Sequence, residues 1–358
     1  MDTLTHALSG ALIGRATAAR QPGPNDLSVR ARVAAGFAAA AFPDADFVLG
    51  FVSPVTYLLY HRGVTHSVLM LPLWALLLAW LLSLIARDRR GFRPWYGVCA
   101  LGIGAHIAGD LITSFGTLVF APFSDWRAAI GTTFIIDLWF TGIIAAGLVA
   151  SLLWRHTRVP ALAAGVALAG YVGMQWMLKQ QALEFGERYA LAQGLSAARV
   201  EAYPRPVSPF NWTVYASDAQ SHRFAHVNLL RKAPRDGGSD AGFIAQMDAA
   251  YLPLVAARWE TRSRFGDDPA VQALARAAWD APQLAFFRWF AGMPAFDGVT
   301  QGSDCVWFVD LRFVNPGRDW VPFRFGACRD DESAEWRAYQ RDRALGRLPL
   351  EREVFRAR

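Results

Sequence analysis

Seven histidines occur in the 358 residues, and four of them (His6, His61, His66 and His106) fall within the first 110, in otherwise apolar sequence. Four aspartates accompany them: Asp44 and Asp46 in FPDAD, Asp110 in GAHIAGD, and Asp137 in FIIDLWF. His106 and Asp110 are four apart, so on a helix they share one face. An HxxxD pair of this kind lets a single helix supply two metal ligands. Imidazole and carboxylate together suit zinc, and also manganese or iron. Four His and four Asp can hold one or two divalent ions at three or four protein ligands each. The candidate ligands are therefore His6, Asp44, Asp46, His61, His66, His106, Asp110 and Asp137. Taken singly, HxxxD is more often structural and FPDAD more often a turn with a cap. HRGVTHS can be a helix entry capped by Thr65. It is their coincidence in apolar sequence that points to a site, because a buried, unpaired carboxylate is expensive in a bilayer.

The elements that must position these residues are apolar. Hydrophobic residues make up 53% of the chain and charged residues 18%, against about 25% charged in ordinary soluble domains. This composition excludes disorder, a disulfide miniprotein and a collagen-like fibre, and argues against a wholly soluble protein. Residues 1–178 hold 12 Arg, no Lys, 8 Asp and no Glu, whereas residues 179–358 hold 24 Lys+Arg and 22 Asp+Glu. We therefore expect a helical membrane domain over 1–179 and a soluble α+β domain over 180–358. The net charge of +6 comes from scattered arginines with no nucleic-acid-binding motif, so no nucleic acid partner is expected.

A membrane-spanning helix needs about 20 mostly apolar residues. Six segments are expected: Leu4–Ala19, Val33–Val52, Val64–Ala86, Tyr96–Phe120, Phe134–Trp154 and Val159–Leu178. Asp2 and His6 stand where a signal peptide would be basic, so the first run reads as a span rather than a leader. Arginines cluster at 15–32, at 87–93 and at 155–158, in loops that six spans place on one side. The positive-inside rule makes that side cytoplasmic. Both termini and the C-terminal domain are then extracytoplasmic, in a multi-pass protein of the bacterial inner membrane. The eight candidate ligands all come out near the outer leaflet.

In the second half, a helix is expected over Gln180–Arg199, strands around Phe210–Leu230, and helical structure over Ala270–Phe290. CVWFVDLRF (305–313) and WVPFRFGAC (320–328) read as a strand pair joined by NPGRD. Cys305 and Cys328 flank this pair, either as a disulfide in an oxidising compartment or as two buried thiols. Cys99 reads as packing.

MDTLTHALSGALIGRA, FPDADF, HRGVTHS and AHIAGDLITSFGT together resemble the YdjM family of bacterial inner-membrane proteins, over about residues 1–180. That family is described as membrane-bound, metal-dependent hydrolases. The order of ligands is also similar, more distantly, to that of zinc-dependent phospholipase C and the zinc single-strand nucleases. His6, Asp44 or Asp46, His61 or His66, and His106 with Asp110 would match that succession. The N-terminal Trp ligand and the later HxxxE of those enzymes have no counterpart here, which puts a third metal in doubt.

The resemblance implies metal-assisted hydrolysis of a phosphoester, with zinc, manganese or iron as one or two ions. Of Asp44 and Asp46, one would ligate and the other bridge metals or take a proton from water. Arg62 either clamps a phosphate or is a surface arginine at headgroup level. Thr5, Thr65, Ser67 and Ser114 are candidates to hold the far nitrogens of ligand imidazoles. A site at headgroup depth suits a lipid or lipid-linked substrate, with membrane lipids as partners and an envelope protein as a further partner through 180–358. Two other classes stay open: an ion-coupled transporter, and a non-catalytic envelope module stabilised by metal.

Overall fold

The computed structural model describes residues 1–358 apart from 22, 196, 239, 301–303, 319–320, 330–334, 343–345 and 351–358. The chain divides into two compact units: residues 1–48 with 60–177, and residues 49–59 with 178 onward.

The first unit is helical. Its elements are α1 (Thr3–Ala16), α2 (Val29–Ala41), a 3-10 run over Phe42–Phe51, α3 (Pro54–Tyr60), a single 3-10 turn at Val64–His66, α4 (Leu71–Ile85), α5 (Arg93–Leu111), α6 (Leu138–Leu153) and α7 (Val159–Ala192). Residues 49–59, which include most of α3, and the end of α7 belong to the second unit. Small residues bring the first helices into backbone contact. A Cβ built on Gly10 would sit 2.0 Å from the Gly36 carbonyl oxygen, and one on Gly102 2.9 Å from the Ala39 Cβ. Helices α2, α4 and α5 enclose one apolar cluster around Ala39, Ala79, Cys99 and Ile103, while α1, α6 and α7 enclose another around Leu12, Ile144 and Ala164.

The six expected segments are only partly continuous helices. Val29–Phe51 and Val159–Ala192 are long and apolar enough to cross a membrane. A third crossing results if Pro54–His66 and Leu71–Ile85, bent by 79°, form one broken span. Helix α1 has 14 residues and α6 has 16, or roughly 21 and 24 Å against a hydrocarbon core of about 30 Å. The run read as Tyr96–Phe120 stops being helical at Leu111. The run read as Val33–Val52 changes to 3-10 geometry at Phe42, next to Pro43. In both places the remaining residues turn around the polar groups described below.

Among its described residues the second unit forms two five-stranded sheets. In the first, β1 (Arg199–Pro204), β2 (Asn211–Ser217) and β3 (Ser221–Asn228) form an antiparallel meander. Strand β3 also pairs β4 (Leu252–Pro253) and β5 (Trp259–Ser263), and α8 (Phe243–Ala249) lies in the connection before β4. After α9 (Pro269–Asp280) and α10 (Ala285–Phe290), the second sheet runs β6 (Pro294–Thr300), β7 (Asp304–Asp310), β8 (Arg324–Arg329), β9 (Arg337–Asp342) and β10 (Gly346–Pro349), all antiparallel. Trp279, Phe286 and Phe287 carry α9 and α10 onto Phe308 and Phe325 of this sheet. The expected strand pair is β7 and β8, with Asp319 and Trp320 of its linking segment outside the described residues. Cys305 and Cys328 face each other across the pair in a disulfide, and Cys99 is buried as packing.

Candidate metal centre

Four stretches of the first unit converge on one buried point. The 3-10 run that follows α2 brings Asp44 and Asp46, the turn before α4 brings His61 and His66, and the last turn of α5 brings His106 and Asp110. The start of α1 adds His6. Glycine permits this last approach, because a Cβ on Gly109 would lie 3.0 Å from the His6 ring.

The innermost group is Asp44, His66, His106 and Asp110, all buried, with one ligand atom from each within 4.8 Å of the others. His106 Nε2 and His66 Nε2 are 2.9 Å apart. His66 Nε2 lies 3.5 Å from Asp44 Oδ1 and 3.3 Å from Asp110 Oδ2. His106 Nε2 lies 3.5 Å from each of the same two oxygens. Four ligands about 2.0–2.1 Å from one ion at tetrahedral angles stand about 3.3 Å apart, so the spacing fits a small divalent cation.

The ring orientations strengthen this fit. His106 Nδ1 donates to the Ala40 carbonyl, at 2.6 Å. Thr65 Oγ1 gives its hydrogen to Asp46 Oδ2 and so accepts from His66 Nδ1, at 2.9 Å. These bonds put a proton on Nδ1 of each ring and aim Nε2 at the centre, where a deprotonated Nε2 presents a lone pair. Two such nitrogens and two carboxylate oxygens face one another in a buried interior. Asp110 Oδ2 is buried with no hydrogen-bond donor. A cation answers all four at once.

Around this group the other polar residues act on the ligands. Asp110 Oδ1 accepts from His6 Nε2 at 3.0 Å and from the Met1 amino group, and it pairs as an ion with Arg62 Nη2 at 3.0 Å. The His6 ring stacks on His106 with 3.7 Å between centroids. Thr3 Oγ1 donates to Asp44 Oδ2 at 2.7 Å. Asp46 accepts from His61 Nδ1 at 2.7 Å, from the Arg62 amide at 3.1 Å and from Thr65 at 2.9 Å. Asp44, Asp46 and His61 form a second group with metal-ligand spacing, although Asp46 already serves three donors.

Arg62 is buried and carries a left-handed backbone (φ 60°). Its Nη1 donates to Thr113 Oγ1, its guanidinium lies over the Phe115 ring, and its Nε has no partner. It is an interior residue rather than a headgroup-level surface arginine.

Asp137 lies outside both groups. It caps α6, accepting from the Trp139 and Phe140 amides, and its other oxygen takes the Tyr171 hydroxyl at 2.7 Å. Of the residues expected to hold the ligands, Thr65 touches the cluster. Thr5 instead bonds Asp2 at the start of α1, and Ser67 bonds the Val119 carbonyl. Sequence reading missed Thr3, Thr113 and the Ala40 carbonyl. The HxxxD pattern fixes no partner for the Nδ1 of its histidine, and any residue supplies a carbonyl.

Residues 1–182 match the family model described as YdjM inner membrane protein. The chain is also 29% identical over 175 residues to the uncharacterized protein YfhP of Bacillus subtilis (strain 168), an alignment covering 48% of this chain and 52% of YfhP. The chain thus spans about half the length of that relative. No solved structure matches it.

Proposed function

We propose that this chain, which belongs to the YdjM inner membrane protein family, is a membrane-bound, metal-dependent hydrolase of a lipid or lipid-linked phosphoester. The observation that carries the reading is the pair of imidazoles whose Nδ1 protons are both spent outward, leaving Nε2 lone pairs opposite two carboxylate oxygens. Structural zinc sites are usually closed and cysteine-rich, whereas this donor set has no cysteine.

Asp44, His66, His106 and Asp110 would hold the ion, with zinc suited best and manganese or iron also compatible. A bound divalent cation supplies Lewis acidity and a water acidic enough to ionise near neutral pH. The protein's own groups do the rest. Asp46 accepts a hydrogen bond from His61 Nδ1, which would put a lone pair on His61 Nε2 to take a proton from an attacking water. Arg62 fixes the orientation of Asp110, and its unpartnered Nε–H offers one donor to a phosphoryl oxygen. His6 and Thr3 hold the two carboxylates so that one oxygen of each faces inward. Asp44, Asp46 and His61 would be the residues to hold a second ion.

Six membrane segments with both termini outside fit the placement of the arginines. The Cys305–Cys328 disulfide supports an oxidising compartment for the second unit. An envelope protein partner for that unit is part of the same reading.

The test is metal content by mass spectrometry on detergent-purified protein, followed by assays of phospholipid and lipid pyrophosphate hydrolysis. We expect one to two equivalents of metal in the wild type, and metal-dependent release of phosphate or a phosphorylated headgroup. Asp44→Asn should abolish turnover with protein level intact. Loss of folding in that variant would instead point to a structural metal. Absence of stoichiometric metal after chelator-free purification would overturn the hydrolase reading and favour an ion-coupled carrier.

A further inference from the structure

The segment between α5 and α6, expected to be the end of a span and an outer loop, is a braced loop. Thr117 and Ala128 pair in both directions, at 2.9 Å each way. The Leu118 amide donates to the Arg62 carbonyl, and Val68 N–H and Ser67 Oγ both donate to the Val119 carbonyl. Arg127 turns inward, donating to the Phe115 and Gly116 carbonyls, with its guanidinium over the Phe115 ring. Gly116 has φ +95°, and a Cβ there would press on Arg127 at 3.1 Å. Val119 and Ala128 are buried in the cluster shared by α2, α4 and α5.

The tip of this braced loop is aromatic and bare. Phe123 is 83% exposed and Trp126 57%, and Phe120, itself exposed, stacks on Trp126. The strongly polar side chains of residues 118–127 are Ser124, Asp125 and Arg127, and Arg127 is the one that turns inward. The apolar surface continues onto Val68, Leu69 and Leu73 at the start of α4, all exposed, and Val68 is hydrogen-bonded to the loop itself.

We propose that the tip of residues 118–127 is an anchor seated in the boundary between headgroups and acyl chains of the bilayer. Three observations favour a lipid surface as its occupant. The residues are Phe and Trp, the types that collect at membrane–water boundaries. The patch is continuous with the outward surface of an apolar helix, α4. The loop also leads into the apolar helix α6 in a chain of an inner-membrane family, a setting in which a bilayer is at hand. The brace has a consequence for the centre. The loop bonds the Arg62 carbonyl, the Ser67 hydroxyl and the Val68 amide, and Arg62 and Ser67 stand beside His61 and His66, so seating the tip fixes the depth of the ligands. The anchor stands whether or not the centre hydrolyses anything.

The test uses the full chain with a single reactive thiol, Phe123→Cys, carrying an environment-sensitive fluorophore. Cys99 is buried and the other two cysteines are joined. A second labelled variant, Ser124→Cys, guards against loss of fold from removing the aromatic ring. Each is reconstituted into phosphatidylcholine–phosphatidylglycerol vesicles. Quenching is read with nitroxide at acyl position 5, nitroxide at position 12, and aqueous iodide. For both labels we expect the shallow nitroxide to quench about twofold more than the deep one, with iodide weak. Strong iodide quenching with no lipid quenching would overturn the anchor, leaving the tip in water or on a protein partner. Stronger quenching by the deep nitroxide would overturn it by placing the tip within the hydrocarbon. Because the readout is depth alone, failure of the hydrolase assay leaves it untouched.

Discussion

Both units bury charged side chains, but they treat them differently. In the second unit Asp310 is surrounded by donors: the Gly292, Met293 and Arg312 amides and the Arg312 guanidinium. Asp248 likewise takes Asn211 on one oxygen and both Arg231 and Arg235 on the other. Arg205 is spent on Thr213, Tyr215, Asn315 and the Leu311 and Arg312 carbonyls. In the first unit Asp110 is just as buried, yet one of its oxygens has no donor and the Arg62 Nε beside it has no acceptor. Buried charge alone does not mark a site. Buried charge whose unmet valences converge on one point does.

The widest expected divergence between the units is in metal content. His106→Ala/Asp110→Ala should lower bound metal from stoichiometric to below about a tenth of an equivalent by mass spectrometry, since two of four ligands are gone. Asp310→Ala should leave metal content unchanged. It should cost about 3–5 kcal/mol, because the Arg312 charge stays buried without its partner; a denaturant melt of the full chain reads it. If Asp310→Ala also stripped the metal, the division between a structural and a functional charge network would fail. Thr65→Val removes the group that holds His66 in its tautomer while leaving all four ligands. It should weaken metal affinity about 10–100-fold in a chelator competition.

The smallest effect concerns acid. Burial pushes His226 of the second unit down to about 3. Its folded form is neutral while its unfolded form titrates near 6.5, so protons favour the unfolded state. The contribution is full above about pH 6.5 and falls as pH drops toward 3. Protection factors of the β2 and β3 amides in the full chain, taken relative to the intrinsic exchange rate at each pH, should fall over that interval, and His226→Gln should flatten the trend.

Much of the candidate centre was legible because its background is silent. In a stretch with no Lys and no Glu, each His and Asp stands out, and six of the eight expected ligands fall in the two groups with metal-ligand spacing. Asp137 shows the limit. An aspartate opening an apolar helix looks the same whether it caps the helix or ligates, and only the Trp139 and Phe140 amides and the Tyr171 hydroxyl decide. His6 was legible as part of the cluster but not as a residue bonded to a ligand. The span boundaries misled for a related reason. Hydropathy counts Phe115, Leu118 and Val119 as bilayer residues, yet they fold back beneath the ligand-bearing turn. The paired strands β2–β3 and β7–β8 were readable from alternation and turn residues, whereas the short β4 and β5 leave no such pattern.

The backbone of Arg62 carries a last consequence. A side chain at φ 60° costs of order 1 kcal/mol relative to glycine. Glycine at this position would relieve that strain, but it would also take the guanidinium away from the buried Asp110 carboxylate, a loss of about 3–5 kcal/mol. The interior ion pair therefore outweighs the backbone it bends, and a thermostability screen would keep arginine at position 62 although glycine suits the local conformation better.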